Sequence, residues 1–83
     1  METDIIDKEI RDALEEASNG KIAAEEVAAE QDLSDLGLTS HEVIQWMVGI
    51  EEALDIEFED EHLKRETFAS IAAVQRTVEE LLG

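Results

Sequence analysis

An all-α fold, a four-helix bundle of three longer helices and one short third helix with a long loop between the first and second, is what this chain predicts. Three observations carry that expectation. Apolar residues recur at three- and four-residue spacing in three separate stretches. Hydroxyl side chains able to cap a helix, Thr39 and Ser70, stand at the start of two of them. Only Asp55-Ile56-Glu57-Phe58 alternates polar with apolar, which is too short for a sheet.

Each element has its own signal. Thr3 precedes a pattern in which Ile6, Ile10 and Leu14 recur every four residues, with Ile5, Ala13 and Ala17 widening the stripe, and Ser18-Asn19-Gly20 ends it. Residues 21–38 set short apolar anchors (Ile22, Val27, Leu33, Leu36, Leu38) among charge and alanine, which predicts a long connection holding a helical turn around 23–30. The second helix is expected from Thr39 to about Leu54, with Val43, Met47, Ile50 and Leu54 buried and Trp46 at the border of that stripe. Ile44 and Val48 lie on another stripe with Ser40 and Glu51. They either broaden the core contact or form exposed apolar spots for a partner. Ile56 and Phe58 are expected to plug an extended connector into the core, Glu59 to Arg65 to form the short third helix carrying Leu63, and Ser70 to cap a last helix with Ile71, Val74, Val78 and Leu81 facing inward.

Composition bounds the chemistry. Eighty-three residues predict one domain, 1–83, near the size at which a single core is marginally sufficient. Only Trp46, Phe58 and Phe68 are aromatic, so the core rests on aliphatic side chains. No cysteine is present, which excludes disulfides, thiolate metal sites and cysteine nucleophiles, and any thiol chemistry must be imported. With 23 acidic against 6 basic residues the formal charge is −17, which disfavours nucleic acid and anionic lipid and favours basic protein surfaces. Met1-Glu2-Thr3-Asp4 lacks a basic leader start and no apolar spanning run follows, so a cytoplasmic monomer away from membranes is the expectation.

Catalytic candidates are sparse. His41 and His62 fall on different expected helices without a ligand-spaced partner, and the Asp32, Ser34, Gly37 frame fails as a calcium loop because Leu36 and Val43 stand where oxygen ligands are required. The acidic run Glu57, Glu59, Asp60, Glu61 describes a solvated face, so no metal site and no catalytic residue is assigned.

The residue that stands out is Ser40. Thr39-Ser40-His41-Glu42 has capping-box spacing, which makes Thr39 the N-cap and Ser40 the first helical residue. A side chain there lies at the positive end of the helix dipole, where a phosphate gains roughly 0.3–1 kcal/mol. Gly37 lets the incoming loop turn sharply and keeps bulk away. Spacing alone equally describes an ordinary helix start with a solvent-facing serine.

Residues 36–60, from Leu36-Gly37-Leu38-Thr39-Ser40 through Leu54-Asp55-Ile56-Glu57-Phe58-Glu59-Asp60, closely resemble the acyl carrier protein family, and the helical reading agrees over nearly the whole chain. The resemblance implies that a phosphopantetheinyl transferase attaches 4′-phosphopantetheine from coenzyme A to Ser40, and that the chain holds an acyl or aminoacyl group as a thioester and shuttles it between partner enzymes. It also implies an acyl- or aminoacyl-loading ligase and downstream transferases whose basic docking surfaces grip Glu42, Ile44, Val48, Glu51 and Glu52. Two departures stand beside Ser40: Thr39 replaces the family's usual Asp and His41 its usual Leu. Glu59 stands where the family usually has proline. These point to a specialised discrete carrier. Leu63 with Arg65-Glu66-Thr67-Phe68-Ala69-Ser70-Ile71 resembles small stand-alone carriers loaded with amino acids by truncated synthetase-like ligases, while polyketide and nonribosomal pathway carriers stay open. The alternative is a non-catalytic acidic helical interaction module with a carrier-like fold and no prosthetic group. The two differ in one observable, covalent modification of Ser40.

Overall fold

Residues 3–83 are described in a computed structural model; Met1 and Glu2, part of the stretch read above for a leader, lie outside them. Three α-helices form, α1 (Thr3–Ala17), α2 (Ser40–Leu54) and α3 (Ile71–Leu82), with four short 3₁₀ turns at Ala24–Glu26, Leu33–Leu36, Asp60–His62 and Arg65–Phe68. The all-helical class stands, and among the described residues no strand is present. Among the described residues the α-helices number three where four helices were expected, and Thr3 is already inside α1.

The segment expected to be the short third helix does not propagate as one. Leu63 closes the first turn outside helical dihedrals and Lys64 is extended at φ −141°, ψ 161°. The physical reason is that residues 59–65 hold a single large aliphatic, so a helix there would bury no stripe, and short helices without tertiary reward are marginal. Leu63 is accordingly exposed. The apolar anchors are instead Phe58 before the segment and Phe68 after it, both buried.

One core joins the three helices. Ile6, Ile10 and Leu14 of α1, Trp46, Ile50 and Leu54 of α2, and Ile71, Val74 and Val78 of α3 are all buried, each large aliphatic contributing about 1.5–3 kcal/mol. Trp46 is fully buried at the centre, where its indole N–H donates to the Ile10 carbonyl at 3.0 Å, so it is a core residue and not the border of a stripe. Val43 and Met47, expected to be buried, are only partly so. The large ring claims the space between α1 and α2, and its one polar atom finds a backbone acceptor. Phe68 meets it edge-on at 6.0 Å and Phe58 meets Phe68 at 5.4 Å. Ile5, expected to widen the stripe of α1, and Leu36, expected to anchor the connection, are exposed, while Ala24 and Thr77 are buried.

The connection from residue 18 to 39 is tied down along its length. Asn19 and Gly20 take left-handed dihedrals, and the Gly20 N–H donates to the Glu15 carbonyl at 2.9 Å, ending α1. Arg11 donates through Nη1 to the carbonyls of Ala24 and Val27, both at 2.7 Å, while its Nε pairs with Asp7 at 2.9 Å. The Leu33 N–H donates to Ala69 at 2.9 Å and the Ala72 N–H to Ala29 at 2.8 Å, so the loop satisfies an otherwise unpaired donor in the first turn of α3. Ser70 caps that helix, its hydroxyl accepting from the Ala73 N–H at 3.1 Å.

Candidate functional site

The site is built on the first turn of α2. Thr39 has extended dihedrals, φ −92° and ψ 164°, and its hydroxyl accepts from the Glu42 N–H at 3.2 Å; the Glu42 carboxylate accepts from the Thr39 N–H at 2.9 Å. The expected capping box is therefore formed in both directions, with Thr39 doing what an aspartate would do. Ser40 is the first helical residue and is exposed.

Upstream, the chain arrives through a second capped turn. Asp32 accepts from the Ser34 N–H at 2.9 Å and from the Ser34 hydroxyl at 2.7 Å, and these bonds, the hydroxyl's first, hold its carboxyl below the usual range. Gly37 closes this turn at φ +88°, a left-handed conformation that an L side chain adopts only with strain. Lys21 then joins the pieces. Its ammonium donates to the Gly37 carbonyl at 2.7 Å and to Glu42 Oε1 at 2.8 Å, across 16 and 21 residues of sequence. The bond from Lys21, followed by that from the Thr39 N–H, holds the Glu42 carboxyl below its ordinary value.

The other expected site residues divide into two groups. Ile44 is 54% exposed and Val48 40%, so they do not broaden the core contact; Glu52 is exposed as well. Together with Ser40 they follow one another in steps of four residues, which places them on one face of α2. Glu42 and Glu51 are partly withdrawn from that face. Glu42 is engaged as described, and Glu51 Oε2 accepts from the Phe58 N–H at 2.8 Å, holding the connector after α2. His41 is exposed and lines a groove between α1 and α2 with Glu16 and Gln45, a groove that Ser40 does not line. Neighbouring helical residues diverge by about 100°, so Ser40 and His41 form no dyad. Among the described residues no cluster of three or more His, Asp or Glu could hold a metal ion, and no helix is long and apolar enough to cross a membrane.

Sequence reasoning missed Lys21. Its one local signal is a lone cation after Gly20 in an acidic chain, and nothing short-range announces where its ammonium goes.

A hydroxyl that is to be esterified by a phosphate group must be reachable and must not itself serve as the helix cap. Thr39 takes the cap, leaving Ser40 exposed at the dipole's positive end, so the residues present fit such a group. The comparisons with known proteins agree. The family model described as the phosphopantetheine attachment site matches residues 8–82. The chain is 44% identical over 73 residues to the aminoacyl carrier protein of Agrobacterium fabrum, covering 88% of each chain. It is similar in fold to a chain in the crystal structure of an engineered Bradyrhizobium japonicum glycine:[carrier protein] ligase complexed with the carrier protein from Agrobacterium tumefaciens and ATP. The TM-score there is 0.84 at 41% identity, over 90% of this chain and 97% of that one. The corresponding AMP complex gives 0.81 at 42%, over 88% and 97%. The chain thus belongs to the phosphopantetheine attachment-site family of carrier proteins, and its cofactor is covalently attached 4′-phosphopantetheine.

Proposed function

We propose that the chain is a single carrier domain, residues 1–83, that is modified on the Ser40 hydroxyl and carries an aminoacyl group from a loading ligase to downstream transferases. The observation that carries this reading is the exposed Ser40 beside a cap made wholly by Thr39 and Glu42. When bound, the cofactor supplies a terminal thiol, which the chain itself lacks, and on which the cargo is held as a thioester. Attachment exchanges one bond for another: Ser40 Oγ bonds to the phosphorus next to the pantetheine as the pyrophosphate bond of coenzyme A breaks. Adenosine 3′,5′-bisphosphate leaves, and the hydroxyl proton passes to a base on the transferase.

The choice of an aminoacyl cargo is supported by the aminoacyl carrier relative and by the neighbour carrier's complex with a glycine ligase. In this reading Ile44, Val48 and Glu52, with Glu42 and Glu51 at the margins, meet the ligase and the later transferases. Partners with basic rims suit a chain of charge −17, through faster encounter more than tighter holding. The chain works as a monomer in the cytoplasm, binds neither nucleic acid nor membrane, and does no chemistry of its own.

Intact-mass measurement tests the reading. Incubation with coenzyme A, magnesium and a broad-specificity phosphopantetheinyl transferase adds one phosphopantetheine to the wild-type protein and none to Ser40→Ala of unchanged helical circular dichroism. A wild-type mass that stays constant with several transferases overturns it.

A further inference from the structure

We infer that Lys21 is the positioning residue for modification of Ser40, holding the serine in presentation by joining the Gly37 turn, the Thr39 cap and Glu42 through one ammonium. The inference rests on the proposed attachment at Ser40.

Ser40 is framed on both sides by groups that this cation organises. Before it, the Gly37 carbonyl accepts from Lys21 Nζ at 2.7 Å, which fixes the exit of a turn whose own geometry is left-handed. After it, Glu42 Oε1 accepts from the same nitrogen at 2.8 Å and also from the Thr39 N–H at 2.9 Å. The capping box alone fixes the helix start but does not reach the loop two residues upstream. Lys21 makes that link, and it comes from the other end of the long connection, just past α1. The ammonium is half-exposed and the Glu42 carboxylate largely covered, so the pair has lost part of its water.

Charge adds a second effect. The group arriving at Ser40 brings a phosphate anion into the first turn, where Glu42 is already ionised in a strongly acidic chain. Lys21 offsets that carboxylate at the place where repulsion would oppose the transfer. The other paired cations, Lys8 with Asp12 and Arg11 with Asp7, sit on α1.

The test compares kcat/KM for phosphopantetheine transfer onto the wild type, Lys21→Met, Lys21→Arg, Glu42→Gln and the double variant Lys21→Met/Glu42→Gln, with Lys8→Met as a control for removal of one positive charge. Loss of presentation makes Lys21→Met roughly tenfold poorer as a substrate, since a small misplacement of the reacting group is costly. Lys21→Arg, which keeps charge and donors, stays within about twofold, and Lys8→Met is unchanged. The double variant is no worse than Lys21→Met, because partners in one network are not additive. Amide hydrogen exchange supplies a readout independent of the transferase: the Thr39 amide of unmodified Lys21→Met exchanges about tenfold faster, as expected for loss of a local bond. Equal kcat/KM for Lys21→Met and wild type, or losses that multiply in the double variant, overturn the role of Lys21 while leaving attachment intact. Absence of any mass gain on the wild type overturns the Ser40 reading, and this inference with it.

Discussion

The two halves of α2 are held by different forces. Its first turn is bound by polar contacts at the surface: a reciprocal capping box and an ammonium that joins it to the loop. From Trp46 onward the helix is bound by burial, with Trp46, Ile50 and Leu54 in the core and Phe68 edge-on to the indole. The difference follows from what each part leaves exposed. An apolar side chain at the helix start would be covered by the fold, whereas polar contacts hold a serine in place and leave it in water. Conversely, polar contacts alone could not anchor the helix, because each is worth about 1 kcal/mol against water.

Three perturbations separate the halves, and Trp46→Ala has the largest effect. It empties the centre of the core and removes the indole's bond to the Ile10 carbonyl, which costs about 3–5 kcal/mol, a sizeable part of the stability of so small a domain. Denaturant unfolding followed by circular dichroism measures it, and a loss under about 1 kcal/mol would show that the core does not depend on the indole as described.

Thr39→Ala removes the cap and touches no core residue. It is expected to cost about 1 kcal/mol in the same measurement. Because it frees the helix start that presents Ser40, it should also slow modification of Ser40, which Trp46→Phe of equal stability should not.

Acidification gives the smallest and most local effect. The Glu42 carboxyl is lowered in the fold relative to about 4.5 when unfolded, chiefly by the Lys21 bond and next by the Thr39 N–H. The unfolded chain therefore takes up the proton first. The stability contributed by this group is fully present above that value and drains away as pH falls through the lower folded value. Thermal unfolding of Glu42→Gln should consequently lose less on acidification below pH 4.5 than the wild type does. Parallel pH profiles for the two proteins would mean that the polar half is not held through this carboxylate.

Much of this arrangement was legible in local residue patterns. The four-residue recurrence of Ile6, Ile10 and Leu14 marked the buried face of α1, and Thr39 and Ser70 marked two helix starts that the structure caps through those hydroxyls. Ser40 stood out for its place after the cap, and it is exposed as expected. Residues 59–65 form no continuous helix despite their pattern, because acidic residues resemble an exposed helical face whether or not the helix has anything to pack against. The rank of Trp46 was underestimated because periodicity gives an angle on the helix and no information about which neighbour has room for a large ring.

Capping, periodicity and charge are short-range properties, so the sequence by itself determined the all-helical class, the bounds of α2, the accessible serine at its start and the acidic surface around it. The decisions left to the tertiary structure all involve distant partners: Arg11 reaching Ala24 and Val27, Lys21 reaching Gly37 and Glu42, Trp46 reaching Ile10 across 36 residues. A side chain of several rotatable bonds has many acceptors within reach in an unfolded chain. Only packing of the helices around one core brings a particular carbonyl or carboxylate to within 3 Å, and that is what ties a capped helix start to the loop before it.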